Sequence, residues 1–292
     1  MNDRVSRSSA LIIASLGSFL TPFMVSSVNI ALPAIEKDFQ TDAILLSWIA
    51  TSYLLAAAVS LVPAGKLADI YGRKKIYLIG MIIFSGMALL SAVAASVPML
   101  IAFRIFQGAG SAMIFATGFA ILTSVFPPQE RGRVLGIAVA AVYIGLACGP
   151  LFGGWMTQHF SWRAIFWINI PIGLLGIYLT SRYVENFREN HVPPLDIKGF
   201  FLSGIGLAGL AFGITTIGQS LFPLEVVLSL IAVGIVGIAL YVRHARRTPD
   251  ALLDLNLLKI DTFFASVTGG FLFRIGVGAS PFLLPLFFQL GF

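Results

Sequence analysis

Between Arg7 and Glu36 the chain carries no charged side chain, and from Ile76 to Gln129 it carries one, Arg104. Runs of this length leave few folds open. A helix needs about 20 mostly apolar residues to cross a bilayer, so each run reads as one or more membrane-spanning helices. Composition agrees, with 58% hydrophobic residues, 11% charged residues and a mean hydropathy of +0.92. A soluble domain carries roughly 25% charged residues; this chain lacks the polar surface to sit in water.

Taken in order, the spans are expected at 10–32, 45–64, two within 76–129 parted by Ser96-Val97-Pro98, then 134–158, 164–181, 199–218, 226–242 and 263–290. That makes nine. Arg4 and Arg7 precede the first run as in a signal peptide. The run is too long for such a segment and ends at Leu32-Pro33 without a small-x-small cleavage site, which favours an uncleaved span. Polar residues 182–198, with Pro193-Pro194, form the longest interruption and read as a linker, and 243–261 forms a second basic loop. The expected organisation is a six-helix bundle at 1–183, a linker at 184–198, two further spans at 199–243, a loop at 244–261 and one more span at 262–292.

Lysine and arginine placement sets the orientation. Alternate loops put fifteen of the 19 basic residues on one side, leaving Lys37 and Arg163 on the other and Arg104 and Arg274 inside spans. The N-terminus is therefore expected in the cytoplasm of a multi-pass cell-membrane protein, with the chain ending outside. The pI near 9.7 reflects these scattered loops, not a face for nucleic acid.

Enzyme chemistry finds little support. His159, His191 and His244 stand apart, Gly65-Lys66 lacks the upstream glycine of a phosphate loop, and Cys148 is a lone thiol within an apolar run. Nothing calls for a metal or cofactor.

Inside the spans, Arg104 and Arg274 are the ionisable groups, and a charge in lipid normally faces a bundle interior or a wet cavity. Packing against backbone carbonyls is the plainer alternative. Ser26, Ser27 and Asn29 form a polar patch that either cross-links helices or lines a cavity. Gly145, Gly149 and Gly153 recur at four-residue spacing, followed by Gly154, and put a flat groove on one helix face. Pro150 bends that helix. The groove serves ordinary packing or a bend that seals or rocks a pathway.

The stretch Gly65-Lys66-Leu67-Ala68-Asp69-Ile70-Tyr71-Gly72-Arg73-Lys74-Lys75 is more specific. Anchoring on the basic side needs only its cations. Two glycines and an aspartate at fixed places ask for more: close backbone approach, and a negative charge that meets Arg73 or a helix N-terminus.

This stretch resembles the Gly-x-x-x-Asp-x-x-Gly-Arg-Lys loop motif of the major facilitator superfamily. Leu100, Arg104, Gln107, Gly108, Gly110 and Ala112 resemble the family's fourth-helix motif, and Gly145, Gly149, Pro150, Gly153 and Gly154 its fifth-helix antiporter motif. Asn29-Ile30-Ala31-Leu32-Pro33 and Trp162 to Gly173 resemble the fourteen-helix drug:proton antiporter branch. The resemblance implies an all-α membrane fold of two six-helix bundles built from inverted three-helix repeats around a midplane site. It also implies two extra helices between the bundles, so this chain would stop after the ninth of fourteen.

A secondary transporter follows, an exporter of drug-like molecules or metabolites working by alternating access, with the bilayer, a small-molecule substrate and protons as partners. Asn29, Arg104, Gln107 and Arg274 are expected along the substrate pathway, and Gly145 to Gly154 at a bendable interface. Gly65, Asp69, Gly72 and Arg73 are expected to form half of a cytoplasmic latch that closes on the opposite bundle in the outward-open state. The branch points to cationic compounds, whereas two interior arginines and no interior carboxylate favour anionic or neutral ones. The rival expectation is a truncated, non-transporting partner or sensor. One departure stands out: where the branch carries an acidic residue five positions before Asn29, this chain has Met24, and none of its 13 carboxylates lies deep in a span.

Overall fold

The computed structural model describes residues 3–186, 195–217, 222–249 and 251–278. The Pro193-Pro194 part of the linker and residues 279–292 of the expected ninth span lie outside them. The described residues form helices and no strand. In order these are α1 (Asp3–Phe39), α2 (Ala43–Tyr71), α3 (Arg73–Ala92), α4 (Val97–Val125), α5 (Pro128–His159), α6 (Ala164–Tyr183), α7 (Ile197–Thr216), α8 (Leu224–Ala245) and α9 (Asp261–Gly278), with a short 3-10 turn at Leu255–Lys259. Helices α1 to α8 are long and apolar enough to cross a membrane, while α9 is described only as far as Gly278.

Helix starts follow local chemistry. Asp42 accepts from the Leu45 N–H at 2.7 Å and Ser96 from the Met99 N–H at 3.4 Å, so a side-chain oxygen meets an orphan donor at each N-terminus. Several helices outrun the expected spans. At 37 residues α1 is about 55 Å long, well beyond the ~30 Å hydrocarbon layer.

Packing follows an internal symmetry. The closest seams are α1 with α5 and α2 with α4, which exchange if α1–α3 is rotated onto α4–α6. The α3–α4 and α1–α6 contacts form a second such pair, and α1–α4 and α3–α6 map onto themselves. Consecutive spans alternate direction, so the two three-helix units are inverted, as in many transporter folds. Tyr77, Phe84, Phe166, Leu20 and Met24 fill the interior where these units meet.

Helices α7 and α8 form a hairpin that touches the bundle through α7 against α2. Glycines zip it together. Cβ atoms added at Gly206 and Gly237 would fall 2.8 Å from the Ile238 nitrogen and the Gly206 Cα, so the backbones are in direct contact. The hairpin seats Phe212 on Trp48, ring centroids 4.6 Å apart. Among the described residues, helix α9 packs chiefly on the 3-10 turn.

Candidate functional site

The charged hinge is tighter than a loop. Helix α2 continues to Tyr71, and the Gly72 N–H still donates to the Ala68 carbonyl at 2.9 Å. Gly72 then turns the chain with φ +102° and ψ 138°, a conformation that a side chain would strain, and α3 begins at Arg73. A Cβ at this glycine would land on the Asn186 side chain. Gly65 differs, since nothing lies within 4 Å of a Cβ placed there, so the close approach expected at that glycine is not made among the described residues.

Arg73 ties the joint to the bundle. Its Nη1 donates to the Ala120 carbonyl at 2.9 Å and to Ser124 Oγ, both on α4, while Nη2 lies 3.8 Å from Asp69 Oδ1 on α2. Lys74 donates to the Ser181 carbonyl of α6 at 2.8 Å. The motif's cations thus hold four helix ends together, and Asp69 stays 37% exposed at its side chain.

The glycine groove on α5 is occupied by α1. Added Cβ atoms at Gly145 and Gly149 would strike Phe19 O and Ser26 Cβ, and one at Gly153 would lie 2.8 Å from Ser27 Cα. Pro150 has no N–H to give the Leu146 carbonyl one turn earlier. Ser26 Oγ donates to that carbonyl at 2.9 Å, so a serine of α1 replaces the bond that the proline removes from α5. Ser27 Oγ donates to the neighbouring Gly149 carbonyl at 3.2 Å. The cross-linking reading of this polar patch holds for both serines. Asn29, one turn on, is exposed.

Arg104 and Gln107 are brought together, and both are closed off, at 1% and 0% exposure. Arg104 Nη1 donates to Gln107 Oε1 at 2.8 Å, its Nε donates to the Ile49 carbonyl at 3.2 Å, and its guanidinium sits 4.0 Å from the Tyr53 ring centre. Gln107 passes the chain on, donating to the Phe84 carbonyl at 3.3 Å. Gly108 and Gly110 allow this proximity: a Cβ on the first would strike Tyr53 O, and one on the second would come within 2.9 Å of Phe84 N. This node joins α2, α3 and α4. Arg274 is exposed on α9, far in the packing order from the other three expected pathway residues.

A family profile of the Major Facilitator Superfamily matches residues 14–292, nearly the whole chain. The chain belongs to the Major Facilitator Superfamily. Relatives include proteins named multidrug resistance protein MdtD. The one from Pectobacterium carotovorum subsp. carotovorum (strain PC1) is 33% identical over 279 residues, 96% of this chain and 60% of that protein. The one from Escherichia coli O17:K52:H18 (strain UMN026 / ExPEC) is 32% identical over 280 residues, 96% of this chain and 59% of the relative. The chain thus spans about 60% of the length of these curated relatives.

Two solved structures share the fold. The proton:xylose symporter XylE bound to 6-bromo-6-deoxy-D-glucose aligns with a TM-score of 0.58 at 15% identity, over 83% of this chain and 54% of its own. A variant of the peptide transporter POT in complex with alafosfalin aligns with a TM-score of 0.60 at 18% identity, over 85% of this chain and 56% of its own.

In this member of the superfamily the position of the branch's acidic residue is sealed. Met24 is fully buried, and its sulfur faces Asn169 Nδ2 at 3.2 Å. Asn169 Nδ2 also donates to the Ile165 carbonyl at 2.6 Å, while its Oδ1 has no partner among the described residues. Sequence reading singled out Met24 as a departure but gave no signal for its partner 145 residues away.

The contacts of Trp162 and Arg163 were likewise not foreseen. At the ends of α1 and α6 opposite the hinge, Asp38 Oδ2 accepts from Arg163 Nη1 at 2.6 Å and from Trp162 Nε1 at 3.0 Å. Arg163 Nη2 reaches the Ala94 carbonyl at 3.2 Å, and the guanidinium lies 4.2 Å from the Trp162 ring centre. Expected only as a basic-poor-side charge and as part of the Trp162 to Gly173 motif, Arg163 is the centre of a clamp on three helix connections.

Proposed function

We propose that this chain supplies the first bundle of a secondary transporter that exports drug-like small molecules across the cell membrane by alternating access. Residues 1–183 form that bundle, residues 199–243 form an accessory hairpin on its flank, and the N-terminus is cytoplasmic. The observation that carries this reading is the Asp69–Gly72–Arg73 joint. A forced left-handed glycine and a charge pair wired to α4 are more than membrane anchoring requires. The relatives' names, multidrug resistance protein, support the drug-like substrate class.

The α1–α5 seam is the element that flexes, because Pro150 has already removed one of its helix bonds. Arg104 and Gln107 reach the pathway only when α2 shifts away from α4, and Asn29 lines it from α1. With Met24 in the acidic position and no carboxylate deep in a span, this bundle does not itself carry a coupling proton.

The test is efflux of a fluorescent cationic dye from cells expressing a complete two-bundle transporter that contains this bundle, with Asp69→Asn. Efflux should fall at least about tenfold, equivalent to ~1.4 kcal/mol, with membrane insertion unchanged. Undiminished efflux would reduce the motif to an anchor.

A further inference from the structure

The basic end of the α7–α8 hairpin carries a feature that the transport reading does not use. Arg243, Arg246 and Arg247 crowd the end of α8, and Lys198 stands beside them on the first turn of α7. None of the four forms an ion pair among the described residues. Cations at a helix C-terminus complement its dipole and fix topology, but neither role needs a cavity.

Here three cavities ring the helix end. One of about 710 Å³ lies between Arg246, Arg247 and Lys259. Another of about 560 Å³ is bounded by Ala239, Val242 and the three arginines. A third, about 250 Å³, joins Lys198, Arg243 and Arg247 to Leu202 and Leu240. That third cavity has a cationic mouth and an apolar wall running up between two spans.

The acidic and titratable neighbours are already engaged. Asp254, in the wall of the largest cavity, accepts from the Asn256 backbone and side chain, both at 2.9 Å. Asp196 is held by His244 at 2.9 Å and by the Gly199 N–H at 2.8 Å. Neither carboxylate neutralises the arginines.

We propose that this end of the hairpin binds an anionic phospholipid. Its headgroup phosphate sits among Arg243, Arg246 and Arg247, and an acyl chain lies along the Leu202–Leu240 groove. A phosphate ester matches guanidinium donors, and only a lipid also fills an apolar groove facing the bilayer. The idea rests on membrane insertion and not on transport, so it stands or falls independently of efflux.

The test is native mass spectrometry of the detergent-purified 292-residue chain titrated with phosphatidylglycerol or with phosphatidylcholine of the same acyl chains. The wild type should take up phosphatidylglycerol preferentially. At about 1 kcal/mol per basic residue, Arg246→Gln with Arg247→Gln should cut that preference roughly 30-fold. A control with Arg131→Gln and Arg133→Gln, on the same membrane side but away from α8, should retain it, and millimolar inorganic phosphate should not displace the lipid. Equal loss in both double variants would mean diffuse charge attraction, and displacement by inorganic phosphate would mean a soluble-anion site. Either result overturns the proposal.

Discussion

Replacing Ser26 by alanine tests whether α1 repairs the defect that Pro150 makes in α5. The Leu146 carbonyl has no helical donor, and Ser26 Oγ supplies one at 2.9 Å. Hydrogen bonds between membrane helices average about 0.6 kcal/mol and reach about 1.7, while stranding an acceptor away from water costs about 1–3 kcal/mol. Ser26→Ala should therefore lower stability by about 1 kcal/mol. Pro150→Ala returns an N–H to α5 and satisfies Leu146 internally, so in that background Ser26→Ala should cost under about 0.3 kcal/mol. Ser27→Ala is the comparison, because its acceptor, the Gly149 carbonyl, is not the one that the proline deprives. Unfolding in mixed micelles against rising detergent, followed by the fluorescence of the four tryptophans, gives all the corners of the cycle. Equal costs of Ser26→Ala with and without Pro150 would refute the reasoning.

Other expectations follow from neighbouring geometry. Within one motif, Gly72→Ala should destabilise by roughly 1–3 kcal/mol through backbone strain, whereas Gly65→Ala, with open space around it, should stabilise α2 by up to about 1 kcal/mol; melts of the two variants should move in opposite directions. Arg104→Leu should cost about 1–3 kcal/mol by stranding Gln107 Oε1, and adding Gln107→Leu should recover part of that loss, so a strictly additive double variant would deny that they act as a pair. At Asp196, burial raises the carboxyl pKa, but the Gly199 N–H, His244 and the Leu252 N–H together outweigh it and hold the group below its ordinary value. A depressed acid stabilises fully above its unfolded pKa of about 3.9 and loses that contribution as pH falls through the lower folded value. Thermal melts from pH 6 to 3 should show this loss in the wild type and a smaller one in Asp196→Asn.

Spans were legible because apolar length is a local property, and the joint at Gly72 because its φ demands glycine whatever surrounds it. Partners were not. The spacing of Gly145, Gly149 and Gly153 announces a flat face but says nothing about which helix covers it, and Ser26 is 120 residues from the carbonyl it bonds. Arg104 and Gln107 read as pathway residues because a membrane arginine is costly; their closure under Tyr53 depends on how α2 crosses α4. The clamp on Asp38 needed three connections to meet, 125 residues apart at the extreme. The glycines of α7 and α8 carry a packing signal of the same kind as those of α5, and they too leave the covering helix unnamed.

One residue separates α2 from α3. A joint that short has no slack, and Gly72 has no neighbouring conformation into which it could relax without rotating one whole helix. The direction of α3, about 30 Å long, is thus set at its first residue by the direction of α2.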